Sequence, residues 1–326
     1  MTGTMDAEQA LTVDDQTPEH AEALRELQRG LSQSDKWISS IYFYDTRGSV
    51  LFDRITALPE YYLTRTETAI MQAHGDDMAR QIGPDALVIE PGSGAGEKIR
   101  LLLGALDNPV AYVPIEIARE HLSNSARALA RDFPELEVLP VWADFTRSLE
   151  IPEPSRTASR SVVYFPGSTL GNFEPDDAVA LLRNFASMVG EGGAALIGVD
   201  LAKKASLIEP AYNDSAGVTA AFNLNMLVHL NRRFGCDFEP ENFMHEAFYS
   251  PGEGRVEMHL KSRREQDVHL GGKTIHIAED ESIHTESSYK YSDERFAALA
   301  EQGGFRLVKT WKDPEELFSV RYLERI

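Results

Sequence analysis

Residues 86–98 read Ala-Leu-Val-Ile-Glu-Pro-Gly-Ser-Gly-Ala-Gly-Glu-Lys, an apolar run that ends in an acid and three alternating glycines. A short continuous apolar run is typical of a buried parallel strand, and glycines let the backbone approach a ligand because they carry no Cβ atom. The next residues, Ile99 to Leu103, fit a helix. Strand, glycine turn and helix predict the first βαβ unit of a Rossmann-like domain.

The glycine loop alone leaves its ligand open, because loops of this kind also bind NAD and FAD, and a tight structural turn needs no ligand. Glu90 precedes Gly92 by two residues, and the third glycine, Gly96, comes one residue earlier than in the dinucleotide pattern G-x-G-x-x-G. That arrangement resembles the nucleotide loop of class I S-adenosylmethionine-dependent methyltransferases, whose ligand has no pyrophosphate.

The composition excludes several classes of partner. The chain has 326 residues, 42% of them hydrophobic, with 52 Asp and Glu against 32 Lys and Arg and a net charge of -20. Such a charge repels nucleic-acid phosphates and anionic lipids, so we expect no nucleic-acid and no membrane partner. There is no apolar run of roughly 20 residues and no secretory signal, which predicts a cytoplasmic protein.

The order of elements predicts an α/β fold with a doubly wound, Rossmann-like sheet and an inserted α+β subdomain. The resemblance of the glycine loop implies that this is a class I methyltransferase sheet and that the insertion is a substrate-binding subdomain. Strand and helix patterns alternate from Leu87 to Asp200, and a closing strand pair follows near the C-terminus. Short strands are expected within the insertion at 246–249, 255–260 and 274–277. The predicted division is a disordered tail at 1–17, a substrate-binding subdomain at 18–60 and 201–288, and an S-adenosylmethionine-binding domain at 61–200 and 289–326.

Two predicted strand ends carry acids that suit a nucleoside. Glu116 ends the second strand of the alternating run, where a carboxylate can accept hydrogen bonds from ribose hydroxyls. Asp144 and Phe145 end the third, where the acid can accept from an adenine amino group and the ring can contact the base. Each acid alone is also compatible with a solvated loop, but together with Glu90 at the end of the first strand they make three matching strand ends, which favour S-adenosylmethionine over NAD.

Longer motifs carry a resemblance to one family, and they extend from about Trp37 onward. The motifs are Phe43-Tyr44-Asp45, Leu58-Pro59-Glu60-Tyr61-Tyr62, Gly92-Ser93-Gly94, Gly167-Ser168-Thr169-Leu170-Gly171-Asn172, Ala211-Tyr212, Ala216-Gly217-Val218-Thr219-Ala220-Ala221-Phe222-Asn223 and Thr285-Glu286-Ser287-Ser288. In these motifs the chain resembles the histidine-specific Nα-methyltransferases of ergothioneine biosynthesis, a family that includes fungal enzymes acting on tryptophan-derived amines.

The resemblance implies two sets of site residues. The methyl donor, S-adenosyl-L-methionine, would be bound by Gly92, Lys98, Glu116, Asp144 and Phe145. The amino-acid substrate would be bound by Tyr61, Asn172, Tyr212, Met258, Glu286 and Ser288, with Tyr44 and Asn172 as the catalytic residues. The ribose acid is Asp in relatives and Glu116 here, which keeps the acceptor atoms but lengthens their reach.

The chemistry of these residues favours L-histidine as the substrate. Tyr212 and the Asn172 amide can donate to its carboxylate, whose burial without partners would cost several kcal/mol. Glu286 can accept from one imidazole nitrogen while Ser288 complements the other. An indole has no second nitrogen and would leave one of these groups unpaired. A methyltransferase for another amine, such as tryptophan, and a non-catalytic amino-acid or nucleoside sensor remain alternatives.

Methyl transfer to nitrogen is an in-line displacement that depends mainly on positioning, so no strong general base is required. Three transfers would give the trimethylated betaine hercynine, a permanent cation that aromatic faces suit, with Tyr44, Tyr61 and Phe222 as candidates.

No metal site is predicted, because Cys236 is the only cysteine and five histidines of the insertion lack ligand spacing: His245, His259, His269, His276 and His284. We expect a monomer.

Overall fold

The computed structural model describes residues 14–16, 20–94 and 96–326. The helices are α1 (His20–Leu31), α2 (Thr46–Thr56), α3 (Tyr62–Ile82), α4 (Glu97–Ala105), α5 (Arg119–Asp132), α6 (Pro175–Val189), α7 (Ala205–Ile208), α8 (Val218–Phe234) and α9 (Asp293–Gln302). The strands are β1 (Asp14–Gln16), β2 (Lys36–Trp37), β3 (Ala86–Pro91), β4 (Ala111–Glu116), β5 (Glu137–Val138), β6 (Val141–Ala143), β7 (Arg160–Phe165), β8 (Ala194–Asp200), β9 (Phe243–Ser250), β10 (Arg255–Ser262), β11 (Gln266–Leu270), β12 (Lys273–Ile277), β13 (Ser282–Tyr289), β14 (Phe305–Lys312) and β15 (Phe318–Arg325).

The main sheet is doubly wound around β3. Its order is β1-β6-β4-β3-β7-β8-β15-β14, with β5 also paired to β4. Every residue of β3 is buried, and the strand pairs in parallel with β4 on one side and β7 on the other. The chain therefore moves outward from β3 in both directions, and the carboxyl end of β3 is the switch point at which such sheets bind ligands. The Rossmann-like sheet predicted from the glycine loop is confirmed.

An antiparallel hairpin completes the main sheet. Strand β15 runs antiparallel to both β8 and β14 and is inserted between them. Buried side chains of β15 include Phe318, Val320, Tyr322 and Leu323, which explains why this segment reads as a core strand although it lies near the chain end. This closing pair was expected for a class I methyltransferase sheet.

A second sheet stands at the carboxyl edge of the main one. Its order is β2-β13-β10-β9, and it takes β2 from the N-terminal segment. The last residues of β13 lead directly into the main sheet, because Tyr291 N donates to Asp200 O at 3.0 Å. The side chains on one face of β13 therefore lie beside the carboxyl ends of the main-sheet strands, where ligands bind in such folds.

Strand β13 contains a bulge at Thr285. Met258 of β10 pairs with Glu286, whereas the next residue, His259, pairs with His284. The extra residue is held by its own hydroxyl, which donates to the carbonyl of Met258 at 3.0 Å. Bulges re-aim side chains beside active sites, and this one sets the face on which Glu286 lies.

Three sequence expectations differ from the structure. Residues 14–16, assigned to a disordered tail, form β1 and pair with β6, which otherwise would present an unpaired edge; the rest of that tail lies outside the described residues. The single strand expected over 136–144 is divided into β5 and β6 around Pro140, which has no N–H to donate to a ladder. Strands β2, β11 and β13 were not predicted.

None of the described helices is both long and apolar enough to cross a membrane. The proposed division into a cofactor domain and a substrate subdomain stays a prediction.

Candidate active site

One pocket at the junction of the two sheets contains every residue assigned to the amino-acid substrate. These residues come from chain positions as far apart as Tyr44 and Ser288, so only the fold brings them together. The lining consists of Tyr44, Phe52, Ile55, Tyr61, Gly167, Thr169, Asn172, Ala211, Tyr212, Thr219, Phe222, Met258, Glu286 and Ser288. We call this the acceptor pocket.

The polar end of the acceptor pocket is built by β13 and a short helical turn at Thr169–Asn172. Glu286 and Ser288 are two residues apart on β13 and so face the same side. Gly171 lets the turn approach this strand, because a Cβ atom there would lie 2.7 Å from the carbonyl oxygen of Tyr289. The close approach brings the Asn172 amide to within 3.4 Å of Glu286 Oε2.

Glu286 has an unusual acidity. Burial raises the pKa of its carboxyl from 4.5 to about 7, with Lys290 acting in the opposite direction. A carboxyl with this pKa is mostly ionised, and so a charged acceptor for a ligand N–H, only above neutral pH.

The opposite wall of the acceptor pocket is aromatic. The ring centroid of Phe222 lies 5.8 Å from that of Tyr44 and 5.9 Å from that of Phe52. The centroids of Phe52 and Tyr61 lie 6.4 Å apart. Burial raises the pKa values of Tyr44 and Tyr61 well above 10. Both phenols therefore stay protonated near neutral pH and act as hydrogen-bond donors rather than as bases. Phe52 was not identified from the sequence.

Tyr212 is held from behind by a histidine of the insertion. His245 Nε2 lies 2.9 Å from the carbonyl oxygen of Tyr212. The other ring nitrogen, Nδ1, lies 2.9 Å from the side-chain nitrogen of Asn223, which also donates to the backbone of β10. An amide that donates to Nδ1 leaves the Nε2 hydrogen for Tyr212. His245 therefore supports the pocket wall.

A buried polar network, which no sequence pattern predicted, lies behind the hydroxyl groups of Tyr212 and Ser288. Lys290 donates to both hydroxyls, at 2.7 and 2.9 Å, and pairs with Asp200 at 2.9 Å. Asp200 ends β8 and also binds Lys203. The signals available were an acid at a strand end and a lysine two residues after Ser288.

The glycine loop and Phe145 form a cradle at the carboxyl end of β3. Gly92 has a φ angle of +72°, and a Cβ atom on it would lie 3.2 Å from the Phe145 ring. Phe145 also contacts Phe165 at 5.6 Å, which fixes the ring over the loop. The neighbouring Ser93 hydroxyl is buried and has no hydrogen-bond partner among the described residues. A narrow cradle with an unpaired hydroxyl fits a bound nucleoside ligand.

Lys98 connects this cradle to the acceptor pocket. Its ammonium pairs with the fully buried Glu67 at 2.5 Å. Glu67 also accepts from the backbone N–H of Gly167 at 2.9 Å, and Gly167 lines the acceptor pocket. The ion pair therefore ties the start of α4 to the loop that follows β7.

Of the two strand-end acids, Glu116 keeps one oxygen for a ligand, whereas both oxygens of Asp144 have neighbours within the chain. Glu116 uses Oε1 to accept from the backbone N–H groups of Ile117 and Ala118, at 2.7 and 2.9 Å, and Oε2 has no hydrogen-bond partner among the described residues. Asp144 uses Oδ1 for Thr146, while Oδ2 lies 3.5 Å from Arg147 Nε. Their assignment to ribose and adenine stays a prediction.

The acid of the glycine-loop motif also has a shifted acidity. Glu90 is buried and accepts from the Tyr112 hydroxyl. Burial raises the pKa of its carboxyl to about 7, against the effects of Tyr112 and Lys98.

The backbone angle of Gly92 provides a test of the cradle. Gly92→Ala should lower the free energy of unfolding by about 1–2 kcal/mol, because a side chain at this φ is strained and meets Phe145. Gly104→Ala is the matched control: it lies within α4 with no atom within 4 Å of its Cβ position, so it should be stabilising by up to about 1 kcal/mol. Urea titrations measure both. Equal effects of the two substitutions would contradict the strain at Gly92.

The histidines of the insertion have separate partners. His259 lies 3.0 Å from Glu257, His269 lies 2.7 Å from Asp237 and His276 lies 3.0 Å from Asp267. Residues 20–94 and 96–326 contain no group of three or more His, Cys, Asp or Glu side chains that could bind a metal ion.

Comparison with known proteins identifies relatives over almost the whole chain. A family model described as "Histidine-specific methyltransferase, SAM-dependent" matches residues 23–325. The histidine N-alpha-methyltransferase of Mycolicibacterium smegmatis is 37% identical over 301 residues, which cover 90% of this chain and 92% of that protein. The same enzyme of Mycobacterium tuberculosis is 36% identical over 300 residues, with equal coverage. The 4-dimethylallyltryptophan N-methyltransferase of Aspergillus fumigatus is 27% identical and is covered over 88% of its length.

Proposed function

The chain belongs to the family of histidine-specific, S-adenosylmethionine-dependent methyltransferases, and from this we propose that it methylates the α-amino group of L-histidine. We further propose that it adds three methyl groups and so forms hercynine, in ergothioneine biosynthesis. Two of its relatives carry the name ergothioneine biosynthesis protein 1.

The observation that carries the proposal is that an acid and a hydroxyl lie on the same face of β13, opposite the aromatic wall of the acceptor pocket. Glu286 and Ser288 are separated by about 6.8 Å along the strand. Both side chains lie on the same face of β13, so one imidazole ring can hydrogen-bond to Glu286 through one nitrogen and to Ser288 through the other. The ring would lie between an acceptor and a donor, a pattern that matches neutral imidazole and not indole.

The other groups of the pocket would place the reacting end of histidine. Asn172 and Tyr212 are the donors for the carboxylate. Bound S-adenosylmethionine supplies an electrophilic methyl group, and the cradle of Gly92 and Phe145 with the acids Glu116 and Asp144 would hold it. The chain's contribution is to fix the amine nitrogen in line with that methyl group and to exclude water, and good alignment is worth many orders of magnitude in rate.

Repeated transfer also requires a pocket that accepts a growing cation. A trimethylated nitrogen donates no hydrogen bond, so polar partners no longer bind it, whereas aromatic faces do. The rings of Tyr44, Phe52, Tyr61 and Phe222 supply such faces. We propose that residues 18–60 and 201–288 form the substrate-binding subdomain, which supplies three of these rings, those of Tyr44, Phe52 and Phe222.

The test is incubation of the purified protein with S-adenosylmethionine and L-histidine, followed by mass spectrometry of the amino acid. We expect mono-, di- and trimethylated histidine, with the trimethylated form accumulating last. A parallel reaction with L-tryptophan tests the alternative substrate. Methylation of tryptophan in preference to histidine would refute the roles of Glu286 and Ser288, and no methylation of either would favour a binding protein.

A further inference from the structure

A lysine without a place in the reaction described above lies directly behind the acceptor pocket. The side chain of Lys290 is fully buried and pairs at 2.9 Å with Asp200, which is equally buried. Asp200 also accepts from Lys203 at 2.5 Å and from the Tyr62 hydroxyl at 2.8 Å. The Asp200 carboxylate is therefore satisfied without Lys290. Neutralising the charge of Asp200 does not explain why a second lysine is buried beside it.

The geometry of Lys290 indicates a different task. An ammonium group has three N–H donors and no acceptor. The three neighbours of Lys290 Nζ are Asp200 Oδ2, the Tyr212 hydroxyl at 2.7 Å and the Ser288 hydroxyl at 2.9 Å. Each hydroxyl oxygen thus accepts a hydrogen from the lysine and keeps its own hydrogen to donate.

The two hydroxyls also lie 2.9 Å from each other. Without a ligand, the hydrogen of one hydroxyl can be shared between them, and the other is left for the pocket that both residues line. When a ligand offers two acceptor atoms, both hydrogens can be donated to it. Removing the lysine would free each hydroxyl to turn and act as an acceptor instead.

We propose that Lys290 is a positioning residue that makes Tyr212 and Ser288 hydrogen-bond donors, so that the pocket selects a ligand with a carboxylate and an unprotonated ring nitrogen. This inference rests on the proposed function, because it assigns those two acceptors to L-histidine. It adds the means by which two hydroxyl groups, which can donate or accept, are restricted to one role.

Lys290→Met tests the inference, with Lys203→Met as the matched control. Both substitutions remove one buried lysine from the same carboxylate, but Lys203 contacts neither Tyr212 nor Ser288. Calorimetry in the presence of S-adenosylhomocysteine would measure the affinity for three ligands: L-histidine, histamine, which lacks the carboxylate, and 3-(2-thienyl)-L-alanine, which lacks the ring nitrogens. Histamine can accept only the hydrogen bond to its ring nitrogen, and thienylalanine can accept only the hydrogen bond to its carboxylate, so the two ligands report these hydrogen bonds separately.

We expect Lys290→Met to weaken L-histidine binding by roughly ten- to a hundred-fold, because the two hydroxyls are then no longer held as donors to the carboxylate and the ring nitrogen. The binding of histamine and of thienylalanine should weaken less, since each of these ligands accepts only one of the two hydrogen bonds. Lys203→Met should leave the ratios among the ligands unchanged. An equal loss for all three ligands in Lys290→Met would mean that the lysine only supports the wall, and would overturn the inference.

A second variant covers the case in which Lys290→Met does not fold. Lys290→Gln keeps two N–H donors and should show the same order of ligands with smaller losses. Thermal unfolding identifies which variants are folded. If the wild-type protein neither binds nor methylates L-histidine, the proposed function fails; if it does and the ligand ratios do not change in either variant, only the role of Lys290 fails.

Discussion

Replacing Glu286 by alanine should reduce kcat/KM for L-histidine by on the order of 10²- to 10⁴-fold, because the site then lacks the acceptor that distinguishes an imidazole N–H from a carbon edge. The binding of S-adenosylhomocysteine should change by less than about twofold, since Glu286 lies on β13 and the cradle lies at the end of β3. Initial rates and calorimetry measure the two quantities separately.

Glu257→Ala is the matched control for this experiment. Glu257 is also a partly buried carboxylate of the second sheet, but it binds Arg255 and His259 and does not line the acceptor pocket. Its removal should leave the KM for L-histidine within about threefold of the wild-type value. A parallel loss of histidine and cofactor binding in Glu286→Ala would show that the acid belongs to the cofactor site or to the folded core.

The cofactor side of the molecule was predictable from sequence because its signals are local. Residues 86–98 contain strand, turn and helix in one run, and the acids of interest follow at the ends of the next strands, β4 and β6. Parallel strands end at one edge of the sheet, so order along the chain translates into position in space. That is why Gly92, Glu116 and Asp144 could be placed at one edge before the structure was known.

The acceptor pocket depends on contacts that no local pattern reports. Strand β13 carries Glu286 and Ser288, yet its residues, Ser-Ile-His-Thr-Glu-Ser-Ser-Tyr, do not alternate between apolar and polar as a half-buried strand should. The bulge at Thr285 interrupts the period, and two polar residues face a pocket rather than solvent. The family resemblance supplied these two residues, whereas the strand pattern did not.

Support from behind the pocket was missed for a related reason. Lys290 reads in the sequence as an ordinary surface lysine, because charged residues are rarely buried without partners. Its partners, Asp200 and Tyr212, are 90 and 78 positions away. Only the register between β13 and the edge of the main sheet brings the three together, and register is set by pairings distant in sequence.

The pH dependence of the reaction should be steep on its acidic side. The pKa of Glu286 is raised to about 7 by burial, so lowering the pH through 7 protonates the carboxyl and replaces the charged acceptor for the ring N–H with a weaker, neutral one. The α-amine of the substrate must lose its proton to react, and its imidazole, with a pKa of about 6.5, must be neutral to accept from Ser288. We therefore expect kcat/KM to fall by more than about tenfold per pH unit below pH 6.5.

Glu286→Gln separates the enzyme's contribution to this pH dependence from the contribution of the substrate. The amide oxygen still accepts a hydrogen bond but does not titrate, so the variant should be slower near pH 8 and its profile should be less steep by about one proton. Glu90 also has a pKa of about 7, but it is unchanged in this variant and its effect should appear in cofactor affinity.

The same shift makes a prediction for stability, because a carboxyl whose pKa is raised by folding destabilises the native state once it must ionise. That cost is absent below about pH 4.5, where the group is neutral in both states, and is fully present above about pH 7. Glu286→Gln should therefore raise the melting temperature at pH 8 and leave it nearly unchanged at pH 4.5. The wild type and Glu286→Gln could instead show kcat/KM profiles of equal slope and no pH-dependent difference in melting temperature. That result would mean that Glu286 titrates near its ordinary pKa and that the steepness of the profile comes from the substrate alone.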